Sequence, residues 1–457
     1  MNTQKTKDKI DRRSFLHSAA GVGAGLVFSP IASGQKRSNK KPDDINVALL
    51  GAGEQGRVLM NVCLKIPGIR FKAVCDIWTA YNQKRASGLL KKYRHENNAY
   101  VDYKEMLEKE KDLDAVIIAT PDFWHADHTV DCLKAGLHVY CEKEMSNTLE
   151  GARRMVQTAR QTGKLLQIGH QRRSNPRYIF CYEKLLKEAK LLGQITAVNG
   201  QWNRAVAPPR IVPRGKEIDT QTLTRYGYKS MQQFRNWRWY KGLGGGPIVD
   251  LGSHQIDIYN WFLDAYPQSV MASGRTNYYD KKTHEWYDTV MAVYEYQALQ
   301  GPVTAFYQTI STNSGNGYFE SFMGTEGTLV ISEPHYRCGL YREGWVKETK
   351  WDHWVKKGYL EKTEGLDQPE SEDTVAEVRP PSPKPAKYDM LVKMNKPVHQ
   401  PHLENFFDAV RGEARLNCPA EAGYETAVAV LKVNAAAEAG RKLDFKPAEF
   451  KAWQNPA

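Results

Sequence analysis

The stretch INVALLGAGEQG, residues 45–56, restricts what this chain can fold into more than any other. An apolar run long enough for one buried strand ends directly on G-x-G-x-x-G, at Gly51, Gly53 and Gly56. The first glycine permits a tight turn, the second lets backbone approach a pyrophosphate, and the third lets the next helix pack on the strand. Amides exposed at that helix start, at Glu54 and Gln55, are placed to hold phosphates. Alone the motif is weak. It gains weight from Asp76, which closes a second apolar run, RFKAVCDI, about 20 residues further on. A carboxylate there accepts hydrogen bonds from ribose hydroxyls and repels a 2′-phosphate. No arginine follows it at Ile77, Trp78 or Thr79, so the expected cofactor is NAD rather than NADP.

Further apolar runs, LDAVIIATP, GLHVYCEK and KLLQIGHQRR, are separated by helical stretches such as HADHTVDCLKAG, which ends on Gly136. Strands alternating with helices predict a doubly wound parallel sheet. After about residue 176 the pattern changes to aromatic, alternating segments such as YDTVMAVYEYQ and GPVTAFYQTIST, with few helices between them. The expected fold class is therefore α/β, with two domains. A Rossmann domain spans 44–165, and a C-terminal α/β domain with a large, open, mostly antiparallel sheet spans 166–457. Residues 362–387, acidic and then Pro-rich, predict a surface excursion.

The net charge of +12 could suggest an anionic partner. Residues 1–41, however, hold nine Lys/Arg against Asp8 and Asp11, which leaves about +5 for the rest of the chain. No clustered basic stripe suits a nucleic acid. The leader itself, DRRSFLHSAAGVGAGLVFSPIASG, pairs Arg12 and Arg13 with a weakly apolar run too short for a membrane span. It resembles a twin-arginine (Tat) signal over 1–34, followed by a linker at 35–43, and implies export to the periplasm by the Tat machinery. The other reading is a basic N-terminal tail. Seven cysteines without a C-x-x-C pair predict core thiols, with neither a disulfide framework nor a metal site.

HVYCEKE, residues 138–144, carries a buried strand into three charges, Glu142, Lys143 and Glu144. Ligands of open α/β sheets sit beyond the carboxyl ends of the strands. Lys143 is therefore placed beside a nicotinamide, although a solvated turn would read similarly. In GGGPIVDLGSHQIDIYNWFL, Asp250 and His254 are spaced to share one helix face, with Asp257 further along it. A carboxylate there could orient the imidazole of a general base, or the pair could be a structural helix cap.

Taken in order, GAGEQG, ATPDFWH, EK, GHQRRSNP and GGG…DLGSHQID resemble the Gfo/Idh/MocA oxidoreductase family over most of the chain. The resemblance implies the two-domain fold above, NAD chemistry, and an open sheet through which subunits associate into a homo-oligomer. It implies that Lys143 contacts a substrate hydroxyl and the nicotinamide, stabilising an alkoxide, while His254, paired with Asp250, takes the hydroxyl proton. It also implies that Thr120, Pro121, Trp124, His125, Glu142 and Gln171 line the cofactor. Glu144 departs from the family's usual proline, and could move Lys143, weaken its field or face solvent. Arg173, Trp239 and Tyr307 are candidate substrate contacts, though the aromatic ones could equally be core. The expected activity is oxidation of a secondary alcohol of a sugar or glycoside, at C3, by hydride transfer to tightly bound NAD. The alternatives are glycoside cleavage by oxidation, elimination, hydration and re-reduction, or sugar or cofactor binding without turnover.

Overall fold

A computed structural model describes residues 44–363 and 385–454. The expected leader, the linker and most of the excursion lie outside the described residues. Six strands form the first sheet: β1 (Ile45–Leu50), β2 (Ile69–Cys75), β3 (Asn98–Tyr100), β4 (Ala115–Ile118), β5 (His138–Cys141) and β6 (Leu166–Ile168). They run parallel in the order β3-β2-β1-β4-β5-β6. β1 is apolar throughout except for Asn46 because both its faces are covered. Ala48 and Leu50 point into one core, while Val47 and Leu49 point into another. Sequence order reverses between β1 and β4, and that crevice is where such sheets bind ligands.

The run KLLQIGHQRR supplies β6, the last strand of the parallel sheet. Helix Gln400–Val410, from the expected C-terminal domain, covers the Rossmann face with Leu403, Phe406 and Phe407 against Tyr140. A sheet apolar on both faces needs cover on both, whichever part of the chain supplies it.

The second sheet holds ten strands: β7 (Ile195–Asn203), β8 (Pro267–Arg275), β9 (Thr289–Ala298), β10 (Gly301–Ile310), β11 (Tyr318–Gly324), β12 (Gly327–Ile331), β13 (Gly339–Arg342), β14 (Leu360–Lys362), β15 (Ala386–Met390) and β16 (Leu443–Asp444). Their order is β14-β15-β13-β12-β11-β7-β10-β9-β8-β16, antiparallel except where β7 meets β10. Helices Gly246–Leu263 and Ala420–Ala439 cover one face, with hydrogen bonds from Tyr259 to Phe306 O (2.9 Å) and from Tyr294 to Ala429 O (3.2 Å). On β8 and β9 the side chains of the opposite face, Met271 and Met291, are exposed. A third core joins Trp78, Tyr81, Phe123 and Trp124 of the Rossmann half to residues between Val212 and Leu243. All seven cysteines are buried. Among the described residues no helix is long and apolar enough to cross a membrane.

Candidate active site

One cavity of about 610 Å3 starts at the β1–β4 crevice and runs to the second sheet. Its floor is the glycine turn. Gly51 adopts φ +91°, and a Cβ there would lie 2.6 Å from Ala119 of the neighbouring loop. A Cβ at Gly56 would lie 1.9 Å from the Gly51 carbonyl oxygen, so the close helix–strand packing depends on its absence. Gly53 has open space where its Cβ would be. Helix α1 (Glu54–Cys63) begins there with no side-chain cap, so its first amides remain available on the cavity wall formed by Gly53, Glu54 and Gln55. Asp76 lines the same end and accepts from the amides of Ala52 and Trp78, both at 2.7 Å. Open backbone, uncapped amides and a carboxylate beyond them fit a dinucleotide.

Thr120, Pro121, Trp124, Glu142, Lys143 and Gln171 continue the wall. Gln55 donates to Glu142 at 3.1 Å, and Gln171 donates to Glu333 at 3.0 Å. His125 lies behind this wall rather than on it. Its two ring nitrogens stand 2.7 Å from the carbonyl oxygens of Glu144 and Thr120, tying the two cofactor-side loops together.

At the strand edge Lys143 Nζ donates to Asp250 Oδ1 at 3.0 Å and to the Asp250 carbonyl. Arg238 Nε lies 3.3 Å from the same carboxylate oxygen. Burial alone would raise the Asp250 pKa, but Lys143, Arg238 and Arg204 hold it well below the usual carboxylate range. Asp250 therefore fixes Lys143; it does not orient His254, as expected from their helical spacing. His254 stands on the same helix, between Trp202 at 5.3 Å and His170 at 6.3 Å by ring centroids. Among the described residues its ring has no hydrogen-bond partner, and Nδ1 is buried. Burial, and then the charge of Lys143, holds the imidazole well below its ordinary pKa, so it is a neutral ring able to accept a proton.

Glu144 does not face solvent: it is 0 % exposed. Oε1 accepts from the Met145 amide at 2.8 Å, Oε2 has no partner among the described residues, and burial pushes the carboxyl up to about 8. Two expected substrate contacts are also placed elsewhere. Arg173 is spent on buried Asp257, with Nε to Oδ1 at 2.9 Å, and Tyr307 is fully buried under Gly252. Trp239 does line the cavity, with Tyr279 and His284, whose rings stack at 4.2 Å.

Residues 204–216 cross above the cavity and contribute Pro208, Pro209 and Arg210 to its lining. The crossing is pinned by the Ala207 amide, which donates to the Tyr279 hydroxyl (3.0 Å), by Arg210, which donates to Glu54 (2.7 Å), and by the Trp78 indole, which donates to the Lys216 carbonyl. Neither this roof nor the approach of Arg238 to Asp250 was read from sequence. Basic residues set among tryptophans in FRNWRWYKG were the signal available for Arg238.

Two family profiles match the chain. One, described as "Oxidoreductase family, NAD-binding Rossmann fold", covers residues 45–170. The other, "Oxidoreductase family, C-terminal alpha/beta domain", covers 215–445. An α-N-acetylgalactosaminidase of Shewanella oneidensis is 30% identical over 175 residues, which are 34% of this chain and 38% of that protein. A glycosyl hydrolase family 109 protein of a Shewanella species matches to the same extent. The match thus spans well under half the length of these relatives. Among solved structures, the WlbA dehydrogenase of Bordetella pertussis in complex with NADH and UDP-GlcNAcA has TM-score 0.61 and 17% identity, over 88% of this chain and 99% of that one. A levoglucosan dehydrogenase in complex with NADH has TM-score 0.64 and 16% identity over the same shares.

Proposed function

Since this chain belongs to the Gfo/Idh/MocA oxidoreductase family, with an NAD-binding Rossmann domain, we propose that it oxidises a secondary alcohol of a sugar or glycoside, at C3. The observation that carries this reading is the neutral His254 beside the fixed Lys143 ammonium, at the end of the cavity whose floor fits a dinucleotide. When bound, NAD supplies the hydride acceptor. Gly53 and the α1 amides would hold its phosphates, and Asp76 its ribose; that carboxylate favours NAD over NADP. His254 accepts the hydroxyl proton. Lys143 stabilises the alkoxide that results, and Asp250 keeps the ammonium in position. Trp202, Trp239 and Tyr279 offer ring faces and edges to a sugar.

Glycoside cleavage through the same oxidation is a second reading, supported by the α-N-acetylgalactosaminidase relative. Binding without turnover is a third, and would leave Lys143 and His254 dispensable. We further infer that residues 1–34 direct Tat export.

The test is the near-ultraviolet spectrum of the purified holoprotein before and after an alkyl glucoside is added, with the sugar product identified by NMR. A reduced-nicotinamide band and a 3-keto glycoside are the expected result. Free sugar with no lasting band would favour cleavage. Neither change, with alanine variants at Lys143 and His254 binding sugar as the parent does, would favour the binding protein.

A further inference from the structure

Arg204 is the first residue of the roof, and its guanidinium has no carboxylate. The Arg204 amide donates to the carbonyl of Ile310, the last residue of β10, at 2.7 Å, so the side chain starts from a fixed point on the second sheet. It lines the cavity and stands 5.1 Å from the centre of the Trp202 ring, which is itself 5.3 Å from His254. Those ring contacts place the guanidinium at the reacting end. Trp202 is backed in turn by Tyr318, stacked at 4.4 Å. A contact with a ring uses none of the five N–H donors of an arginine. Among the described residues no acceptor takes any of them.

The nearby carboxylates of the wall are engaged elsewhere: Asp250 with Lys143, Glu142 with Gln55, and Glu333 with Gln171. The other wall arginine without an ion pair, Arg235, stands 5.0 Å from Trp78, towards the dinucleotide. Arg238 adds a second fork. Its Nε lies 3.3 Å from Asp250, its side chain is 42 % exposed, and among the described residues its two terminal nitrogens have no acceptor. Lys143, Arg238 and Arg204 thus surround one ionised carboxylate, which all three hold in its charged form. Asp122 also lines the cavity, but burial pushes it up to about 7, so it carries only part of its charge at neutral pH. The alkoxide of the oxidation is served by Lys143 alone. An excess of cations on a cavity wall attracts an anion.

We propose that the sugar oxidised here is an acidic one, whose carboxylate or sulfate is gripped by Arg204 together with Arg238. The inference rests on the oxidation proposed above and alters none of its steps. Hydride still leaves C3 and His254 still takes the hydroxyl proton, so a neutral glycoside remains a substrate, half-saturating at higher concentration. A planar guanidinium meets two oxygens of a carboxylate or sulfate with two parallel hydrogen bonds, a match that an ammonium does not give.

The experiment offers the holoenzyme methyl glucoside, methyl glucuronoside and methyl glucoside 6-sulfate, in both anomers. The rate of reduced-nicotinamide band formation is followed against sugar concentration, at about 0.02 M and about 0.5 M sodium chloride. Parent, Arg204→Gln and Arg204→Lys are compared, with melting and bound-NADH fluorescence as checks on folding and loading. The parent should half-saturate at an about 10- to 100-fold lower concentration of an acidic glycoside than of the glucoside, and salt should erode that advantage. Whichever acidic arm shows it identifies the anion. Arg204→Gln should lose most of the advantage, while Arg204→Lys keeps part of it through charge without the fork. Equal half-saturation by all three sugars in the parent overturns the inference and leaves the oxidation standing. An advantage retained in full by folded, loaded Arg204→Gln does the same. No band from any of the three removes the oxidation itself, and the inference with it.

Discussion

Lys143 is anchored before any substrate arrives, because two oxygens of Asp250 hold its ammonium. Lys143→Ala is expected to lower kcat by about 10²–10³-fold, and His254→Ala by about 10²–10⁴-fold, in steady-state turnover of the identified substrate. Burial and Lys143 keep the His254 imidazole neutral in mild acid. The oxidation half-reaction should therefore hold its rate well below pH 6.5, and a loss centred there would count against His254 as the base. Glu144 gives a different signature. Its folded pKa, about 8, lies above the ordinary 4.5, so between those values the folded state holds a proton that the unfolded state has lost. Stability then falls as pH rises through that window, by on the order of a few kcal/mol in all. Glu144→Gln should flatten the fall of Tm between about pH 5 and 8. Lys143 and His254 were legible as residues, but their partners were not. A four-residue spacing puts Asp250 and His254 on one face, yet an ammonium brought from the segment just after β5 competes for the carboxylate and wins.

The glycine turn and the roof make predictions of opposite kinds. Gly53 has φ −61° and open space at its Cβ, so Gly53→Ala should leave Tm nearly unchanged while obstructing the approach of a pyrophosphate. Gly56→Ala drives a Cβ into the Gly51 carbonyl and should destabilise the domain as well. Denaturant melts paired with NADH titration separate the two. On the roof, the Arg210–Glu54 pair is 48 % and 58 % exposed at its side chains, so Arg210→Ala should cost at most about 1 kcal/mol. Trp78 is buried in the core beneath it, and Trp78→Ala should cost about 3–5 kcal/mol and speed the loss of bound dinucleotide. Neither effect was readable beforehand. Residues 204–216 show no helical or strand period, and they become a roof only because Trp78, Glu54 and Tyr279 catch them from three separate parts of the chain.

At the scale of the molecule, periodicity and glycine spacing were enough for the two sheets, and for the strand edge at which the cavity lies. They were not enough for helix Gln400–Val410, whose apolar face gives no hint of which sheet it will cover. Nor do they show the junction of β7 with β10, where a mostly antiparallel sheet turns parallel. Among the described residues the face of that sheet opposite the two helices shows Met271 and Met291 at 53 % and 43 % exposure. We expect subunits to associate there, and a Met271→Glu, Met291→Glu variant to sediment as a smaller species.

β14 and β15 are antiparallel neighbours, Lys362 stands opposite Tyr388, and the Thr363 amide donates to Lys387 O at 3.2 Å. The chain thus leaves the sheet and rejoins it on the same rung. Among the described residues none of either strand lines the cavity. Residues 364–384 should be exchangeable for a short Asn-Gly turn with little change in Tm or in bound cofactor. The same rung is a splice point: an entire foreign domain whose own ends lie close together could be inserted there, and the enzyme would carry it as cargo.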